Sequence, residues 1–277
     1  MPEKYVRRDG LPILVRHTGR TTLPQDPPHL GEGPAVVCLH DAGLQSSVFG
    51  DLLSAVVPQA TQGGAIAFDL PGHGCSGSLD SLPSIAEMTE MAQWVSDWCG
   101  ATRPVLVGHG MGALVALEWA LHRGDSVAGL VLCGAGLALG IEDEAIELMR
   151  RVTRGKAPRP FDPSRVAKDS GPDMTRRAYM EGIQTDPRAT LVDLEASRAW
   201  SKAFLEGRNT DGGHPIGCVT RIVCGSAEEE GCRARAEALA GSLDRAVVAQ
   251  IEGAAHFLPL EKPDALASEI HRAAEAA

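Results

Sequence analysis

Short apolar segments, separated by longer amphipathic stretches, constrain the fold of this chain more than any other feature of its sequence. Each of four such segments is apolar on both faces and contains β-branched residues: 34–40, 64–70, 104–109 and 127–135. Strands buried on both faces are typical of a parallel sheet that is covered by helices. We predict the covering helices in the amphipathic stretches, at 45–59, 85–99 and 111–123. The alternation indicates an α/β fold with a doubly wound, mostly parallel sheet.

The alternation is interrupted after the fourth apolar segment. Residues 139–215 are polar, rich in arginine and helical in character, and strand–helix alternation resumes with the apolar segment 218–225. A helical insertion between two halves of one sheet is expected to cap the carboxyl ends of the strands, where open α/β sheets bind their ligands. We therefore predict a core in two parts, 1–138 and 216–277, with a helical cap at 139–215.

The balance of charges argues against two classes of partner. The 26 Lys and Arg residues are outnumbered by 36 Asp and Glu residues, which gives a net charge of −10 at pH 7. Nucleic acids and anionic membranes are bound by basic faces, so we expect neither as a partner. No apolar segment approaches the roughly 20 residues that span a bilayer. The initial segment MPEKYVRRDG also lacks the apolar core of a secretory signal.

The cysteines indicate a cytoplasmic protein without a metal site. The chain has seven of them, an odd number, and Cys38, Cys133 and Cys224 lie inside apolar strand segments. Buried free thiols in a reducing compartment explain this pattern better than disulfides do. The sequence has no C-x-x-C pair or other zinc-ligand spacing. The G-x-G-x-G at 108–112 lacks the acidic residue that a dinucleotide site requires about 20 residues later. We expect no metal ion and no cofactor.

One strand-to-helix connection carries the most specific chemical signal in the sequence. The strand 104–109 passes into the helix 111–123 through Gly108-His-Gly-Met-Gly. A strand–turn–helix with G-x-x-x-G spacing is the nucleophile elbow, in which small residues allow a tight turn and close packing of the helix on the strand. The central residue adopts a strained conformation that projects its side chain above the sheet. Here that residue is Gly110, so the nucleophile position has no side chain.

Together with three other blocks, this connection resembles the α/β-hydrolase superfamily, especially its small capped members: esterases, lactonases and carbon–carbon bond hydrolases. The four blocks occur in the family's order: His40-Asp-Ala-Gly for H-G-x-G, Asp69-Leu-Pro-Gly-His-Gly-Cys-Ser for D-x-x-G-x-G-x-S, Gly108-His-Gly-Met-Gly for G-H-S-M-G, and Gly253-Ala-Ala-His-Phe-Leu-Pro-Leu-Glu-Lys-Pro for G-x-x-H-x-x-x-x-E-x-P. They cover the core of the chain, and only the cap has no diagnostic motif. The resemblance implies a small lipophilic carbonyl compound as the ligand.

The resemblance also implies a catalytic triad whose nucleophile is missing. His256 matches the family's catalytic base. The acid is expected three residues after the glycine that ends the segment 218–225, which points to Glu228. Because Glu229 and Glu230 follow directly, the sequence assigns the position of the acid only to within one residue. Such an acid orients the imidazole and stabilises its cation.

The oxyanion hole implied by the resemblance depends on backbone groups rather than on particular side chains. Its donors are expected to be the N–H groups of Ala42 and Met111. The family's usual glycine before Ala42 is Asp41 here. An acidic side chain would weaken an anion-binding pocket unless it turned outward. We interpret the neighbouring His40 and His109 as structural.

No other residue is a good substitute for the missing nucleophile. Cys75 and Ser76 lie in a loop that the family does not aim at the catalytic histidine. The cysteines of the strand segments are expected to be buried in the core, where a thiol is unreactive. An acyl-enzyme is therefore not expected for this chain as written.

Three interpretations of Gly110 remain open. In the first, the chain is an enzyme without covalent catalysis: the vacant space admits water or a substrate group, His256 is a general acid or base, and the oxyanion hole stabilises an enolate or a tetrahedral oxyanion. In the second, the chain is an inactivated variant of a serine hydrolase whose nucleophile has been replaced by glycine. In the third, it is a ligand-binding protein that has kept the pocket and lost catalysis.

Overall fold

The central sheet has eight strands in the part of the chain that the computed structural model describes, residues 1–56, 63–135, 141–207 and 216–275. In chain order the strands are β1 (Glu3–Arg8), β2 (Leu11–His17), β3 (Val36–Leu39), β4 (Ala65–Phe68), β5 (Val105–His109), β6 (Gly129–Cys133), β7 (Val219–Gly225) and β8 (Ala246–Ile251). Their order across the sheet is β1-β2-β4-β3-β5-β6-β7-β8. β2 runs antiparallel to both of its neighbours, and from β4 to β8 every neighbouring pair is parallel. The prediction of a mostly parallel sheet is confirmed.

Helices cover both faces of this sheet, as the sequence predicts. In the described residues they are α1 (Gly50–Val56), α2 (Ile85–Trp98), α3 (Met111–Arg123), α4 (Asp143–Thr153), α5 (Gly171–Ile183), α6 (Pro187–Leu205), α7 (Glu230–Ala240), α8 (Leu258–Glu261) and α9 (Pro263–Glu275). α2 packs against α3 on one face, and α1 packs against α9 on the other. Within the described ranges, none of these helices is long and apolar enough to cross a membrane.

The strands in the middle of the sheet contribute side chains to two hydrophobic cores. In β5, for example, Leu106 belongs to the core that includes α2 and α3, whereas Val105 and Val107 belong to the core that includes α1 and α9. Successive side chains of a strand point to opposite faces. A strand that is covered on both faces therefore needs apolar residues at most positions, which explains why these strands are continuous apolar segments in the sequence.

Among the described residues between β6 and β7, three α-helices, α4, α5 and α6, lie in the interval expected to form the cap, and the name cap is kept here for residues 141–207. α4 packs against α6, and α6 contacts α3 of the core. The indole N–H of Trp200 on α6 donates to Glu118 Oε2 on α3 at 2.7 Å. The expected ends of the cap, at 139 and 215, lie in the segments 136–140 and 208–215, outside the described residues. The division of the chain into three parts therefore stays a prediction.

Close contact between α3 and the sheet requires glycine on both sides of the elbow centre. A Cβ built on Gly112 would overlap the carbonyl group of Leu39 at the end of β3, and one built on Gly108 would overlap the backbone of Ala113. Backbone atoms of a central strand cannot move aside without disturbing the hydrogen bonds to the neighbouring strands. Packing thus explains both glycines.

We expect Gly112→Ala to lower the free energy of unfolding by about 1–3 kcal/mol, because the added methyl group overpacks a rigid contact. Urea denaturation followed by circular dichroism measures the change. Gly182→Ala in α5 is the matched control, since nothing lies within 4 Å of a Cβ built on Gly182. Alanine in that helix should be neutral or stabilising by up to about 1 kcal/mol. Equal stabilities of the two variants would contradict the packing explanation.

Candidate active site

The connection between β5 and α3 is a tight turn with a strained centre. Gly110 has φ 52° and ψ −113°, a region that favours glycine over residues with a Cβ. Its N–H donates to the carbonyl oxygen of Cys133 on β6 at 2.9 Å. The turn holds Gly110 at the carboxyl end of β5, in the wall of a cavity.

The carboxylate of Asp41, from the loop after β3, fills the space above Gly110. A Cβ built on Gly110 would overlap this carboxylate. Asp41 Oδ1 accepts hydrogen bonds from the N–H groups of Ala42 and Met111, both at 2.8 Å. These are the two donors expected to form the oxyanion hole, and the side chain turns toward them rather than outward. The expectation of a vacant space above Gly110 is therefore wrong. The Asp41 carboxylate occupies that space and accepts hydrogen bonds from both N–H groups that were expected to form the oxyanion hole.

The imidazole of His256 lies between two carboxylates. Its Nε2 is 2.9 Å from Asp41 Oδ2, and its Nδ1 is 3.2 Å from Glu228 Oε1. An ionised carboxylate only accepts hydrogen bonds, so two carboxylates beside the ring favour its doubly protonated form, in which both nitrogens donate. Burial and the nearby charge of Arg165 lower the pKa of His256. The hydrogen bonds with Asp41 and Glu228 outweigh these effects and raise the pKa above its ordinary value.

The two carboxylates are in turn held in their ionised form. Burial alone would raise the pKa of each. The hydrogen bond and the positive charge of His256 reverse that effect: they lower the pKa of Glu228 to about 2 and hold the pKa of Asp41 below its usual range. The site is thus a row of alternating charges, Glu228–His256–Asp41, whose side chains are at most 15% exposed.

Of the adjacent glutamates whose side chains the structure describes, Glu228 and Glu229, the first contacts the imidazole. It follows β7, and its Oε2 accepts a hydrogen bond from the N–H of Gly225 at 3.3 Å, which holds the carboxylate beside the ring. Glu229 forms an ion pair with Arg235 instead. The side chain of Glu230 lies outside the described part of the chain. This geometry favours Glu228 as the acid, and its catalytic role stays a prediction.

The backbone of His256 is held by two further residues. Its N–H donates to the carbonyl oxygen of Arg165 at 3.0 Å, and its carbonyl oxygen accepts from His109 Nε2 at 2.8 Å. The rings of His109 and His256 lie 4.7 Å apart. Burial lowers the pKa of His109 to about 4, so its ring is neutral near pH 7. His109 therefore supports the loop that carries His256.

Arg165, in the cap, is a site residue that the sequence did not reveal. Its Nη2 lies 3.2 Å from Asp41 Oδ2, and its side chain is 47% exposed, so it extends the row of charges toward solvent. Its guanidinium carbon is 5.3 Å from the centre of the Phe257 ring. The arginines of the cap follow no motif, and only the fold brings this one to the carboxylate.

The other candidates from the sequence support the core or lie in other loops. His40 Nδ1 donates to the carbonyl oxygen of Asp41 at 2.9 Å, and its Nε2 accepts from the N–H of Leu70 at 3.2 Å. Burial lowers the pKa of His40 to about 4. The strand cysteines are buried and Cys75 is exposed. Among the described residues that line the cavity there is no cysteine, and Ser76 is not one of them.

A buried carboxylate of the cap binds the loop that carries Asp41. Asp193, on α6, accepts through Oδ2 from the N–H of Gly43 at 2.9 Å, and the same oxygen lies 2.8 Å from His73 Nε2. Burial lowers the pKa of His73, but the Asp193 carboxylate outweighs burial and raises it. Both side chains are fully buried. The pair holds α6 against this loop.

A cavity of about 690 Å³ lies between the core and the cap and has the row of charges in its wall. This volume is in the range of small-molecule binding sites. The core contributes Asp41, Gly110, Glu228 and His256 to the wall. The cap contributes apolar side chains, among them Leu148, Met149, Phe161, Ile183 and Leu194, and also the charged side chains of Arg159, Asp162 and Arg165. A ligand in the cavity would therefore meet apolar surface and charged groups together.

In the described ranges of the chain, two groups of side chains have ligand atoms within 4.8 Å of one another, as a metal site requires: Asp41, His109 and His256, and Cys224, Glu228 and Cys232. In the first group, the facing atoms of Asp41 and His256 are already joined by a hydrogen bond. In the second group, Glu228 is the carboxylate that contacts His256. The expectation that the chain binds no metal stays a prediction.

Proteins of similar sequence match part of the chain. The pimeloyl-[acyl-carrier protein] methyl ester esterase of Chromobacterium violaceum is 36% identical over 106 residues, which are 37% of this chain and 37% of the relative. The match thus spans little more than a third of the length of that curated relative.

Solved structures match almost the whole chain. A thermophilic esterase from Thermogutta terrifontis has a TM-score of 0.76 at 19% identity, covering 98% of this chain and 97% of that one. The enol-lactonase from Burkholderia xenovorans LB400 has a TM-score of 0.73 at 18% identity, covering 96% and 97%. At these identities the likeness shows the fold alone.

The family assignment rests on the length and position of the match to a family model. The model described as "Alpha/beta hydrolase family" matches residues 36–269. This span is most of the chain, and it contains the elbow at Gly110 as well as Asp41, Glu228 and His256. The chain therefore belongs to the alpha/beta hydrolase family.

Proposed function

We propose that this chain is an enzyme that catalyses proton transfer on a small lipophilic carbonyl compound of the ester, lactone or β-keto type, without a serine nucleophile. The observation that carries the proposal is the 2.9 Å contact between Asp41 Oδ2 and His256 Nε2 in the cavity wall. The substrate class is supported by the names of similar proteins: a methyl ester esterase, an esterase and an enol-lactonase. The apolar side chains that the cap contributes to the cavity wall support a lipophilic substrate.

In this proposal Asp41 and His256 form an acid–base pair whose two proton transfers are coupled. His256 Nε2–H donates its proton to the carbonyl oxygen of the substrate, while Asp41 Oδ2 accepts a proton from a carbon or from a water molecule. The hydrogen bond and the charge of His256 hold the pKa of Asp41 low. Loss of the His256 proton therefore makes Asp41 a stronger base in the same step. Glu228 keeps the ring oriented and stabilises its cation.

In this mechanism the two N–H groups of the expected oxyanion hole bind the protein's own Asp41 carboxylate and not the substrate. Because Asp41 Oδ1 takes both backbone donors, a negative charge that develops on the substrate must be stabilised by other groups. His256 and Arg165 carry positive charge in the cavity wall and are suited to that role. The proposed chemistry is thus non-covalent, as expected from the sequence, but His256 and Arg165 stabilise the substrate oxyanion in place of the two backbone N–H groups.

An inactivated serine hydrolase is the weaker alternative. A serine at position 110 would place its Cβ inside the Asp41 carboxylate, so the glycine at 110 and the aspartate at 41 depend on each other. Replacing a serine by glycine would not account for Asp41, which stands where the family usually has glycine. Gly110 and Asp41, which both depart from the family's motifs, thus meet at the same point of the structure.

A second chemistry, nucleophilic catalysis by the Asp41 carboxylate itself, is favoured by the contacts of Oδ1. Oδ2 would attack an electrophilic carbon, and the leaving group would depart with the bonding electron pair and take a proton from His256. Water that loses a proton to His256 would then add to Cγ of the resulting ester. The N–H groups of Ala42 and Met111 would stabilise the oxyanion on Oδ1. Collapse would release an alcohol that carries the original Oδ2, and would leave an oxygen from water on Asp41.

Turnover assays test the acid–base proposal. We expect at least one compound in a panel of aryl acetates, small lactones and β-keto acids to be converted, and kcat to fall by about 10²-fold or more in His256→Gln and in Asp41→Asn. Asp51→Asn is the matched control, because Asp51 is an exposed carboxylate that pairs with Arg177 on the surface. A panel compound that binds the wild-type protein without being converted would favour the ligand-binding interpretation instead.

Turnover of the small lactones in H₂¹⁸O separates the two chemistries, because attack of Oδ2 on the alkyl carbon of a lactone forms the ester whose hydrolysis labels Asp41. Proton-transfer catalysis leaves the Asp41 carboxylate unlabelled, and this is the expected result. Nucleophilic catalysis would exchange one of its oxygens for ¹⁸O, which mass spectrometry of the peptide that contains Asp41 would detect. The peptide that contains Asp51 is the internal control for non-catalytic exchange.

We expect Asp41→Asn to lower the pKa of His256 by about one unit or more, because the variant removes a hydrogen bond and a negative charge that both raise it. NMR titration of the ¹⁵N-labelled imidazole measures this pKa directly. The ring should then lose its proton at a lower pH than in the wild-type protein. An unchanged pKa would mean that Asp41 does not share a proton with His256 in solution, and Asp51→Asn should leave the titration as in the wild type.

Restoring the family's motifs tests the dependence between positions 41 and 110. Gly110→Ser alone should gain no esterase activity, because its side chain overlaps the Asp41 carboxylate. The double variant Asp41→Gly/Gly110→Ser should release 4-nitrophenol from 4-nitrophenyl acetate, since the hole is then free and the hydroxyl lies beside His256. Asp41→Gly alone is the control for an open hole without a nucleophile. Esterase activity in Gly110→Ser alone would contradict the dependence.

A further inference from the structure

Arg159, in the cap, places a guanidinium in the cavity wall without an acidic partner among the described residues. Its Nη1 donates to the carbonyl oxygen of Thr185, and its Nη2 donates to Thr190 Oγ1 at 3.0 Å. Both acceptors are neutral. Burial lowers the pKa of Arg159, so its charge is partly removed from water. The nearby carboxylate of Asp186 is paired with Arg188 instead.

The other basic side chains of the cavity wall have acidic partners. The pairs are Arg165 with Asp41, Arg235 with Glu229, and His256 with both Asp41 and Glu228. Asp162, which also lines the cavity, is exposed and accepts hydrogen bonds from the N–H and hydroxyl groups of Ser164. A partly buried charge is stabilised when an opposite charge lies within hydrogen-bond distance. In the described part of the wall, Arg159 is the cation that lacks such a partner.

We propose that Arg159 binds a carboxylate group of the substrate, so that the ligand is an amphiphilic carboxylic acid. The planar guanidinium has five N–H donors, and its fork matches the two oxygens of a carboxylate. Phe161 and Tyr179, whose ring centres lie 5.4 Å apart, line the same cavity and offer apolar surface for the body of the ligand. The inference rests on the proposed function for the chemistry at the carbonyl group, and it adds the group by which the substrate is anchored.

Thr190 connects Arg159 to the loop that carries Asp41. Its hydroxyl accepts a hydrogen bond from Arg159. Its side chain also packs against Gly43, since a Cβ built there would lie 2.7 Å from Thr190 Oγ1. Thr190 thus links the proposed carboxylate site to the loop of the acid–base pair. The charge of Asp41 does not repel a bound carboxylate strongly, because cations on either side neutralise that charge.

Isothermal titration calorimetry with unbranched carboxylates from butanoate to octanoate, and with the amides of the same lengths, tests this proposal. We expect the wild-type protein to bind at least one carboxylate about tenfold more tightly than its amide. Arg159→Gln removes the charge, so it should abolish the preference and leave the amide affinity unchanged. Arg159→Lys keeps a positive charge without the fork and should retain part of the preference. Arg176→Gln, the same change at an exposed arginine of α5, is the matched control and should behave as the wild type.

Salt dependence of binding gives a second measurement that needs no variant. Added NaCl should weaken carboxylate binding by the wild-type protein and leave amide binding unchanged, because ions screen the attraction between charges. The proposal is overturned if no carboxylate binds more tightly than its amide, if salt does not affect a preference that is present, or if a folded Arg159→Gln keeps that preference. Circular dichroism shows whether each variant is folded.

The outcome for Arg159 can be distinguished from the outcome for Asp41 and His256. Calorimetry involves no turnover, so a carboxylate preference that does not depend on Arg159 rejects the anchor and leaves the acid–base proposal standing. If the preference depends on Arg159 while neither His256→Gln nor Asp41→Asn affects turnover, the acid–base proposal is rejected and the anchor stands.

Discussion

The Asp41 carboxylate and any side chain at position 110 compete for one small volume, and the arrangement of the site follows from Asp41 holding it. β3 and β5 are neighbours in the sheet, so the loop after either strand can deliver a functional group to the same point above the sheet. The loop after β5 has no side chain at this point, because the residue is Gly110, and the loop after β3 places the Asp41 carboxylate there. Both N–H groups that were expected to form an oxyanion hole then bind the protein's own carboxylate.

The electrostatics of the site depend on this placement. A buried carboxylate without a partner would be protonated, and a buried imidazole without a partner would be neutral. Because Asp41 and Glu228 lie on opposite sides of His256, each charge stabilises the next, and all three groups are ionised although they are largely removed from water. Removal of any one of them would change the protonation of the other two. The site is therefore best understood as a single unit that titrates together.

The sequence was sufficient for the fold and for the pairing of His256 with an acid after β7. Strands that are covered on both faces show their burial as continuous apolar segments, and the motifs around Gly110 and His256 are local in sequence. The direction of the Asp41 side chain was not predictable, because it is decided by N–H donors that include one about 70 residues away. Arg165 and Arg159 were missed for a related reason. They belong to a cap with no motif, and only tertiary packing distinguishes them from the other arginines of the cap.

The buried bond between Asp193 and the loop of Asp41 limits how the cap can move. Asp193 and His73 are fully buried, so separating α6 from the core would break the contact between them and expose both side chains to water. It would also free the N–H of Gly43, close to Asp41 in the chain. We therefore expect α6 and the loop that carries Asp41 to move together. Outward rotation of α6 to admit a ligand would break the hydrogen bond from Gly43 to Asp193 and so disturb the loop whose carboxylate lies above Gly110.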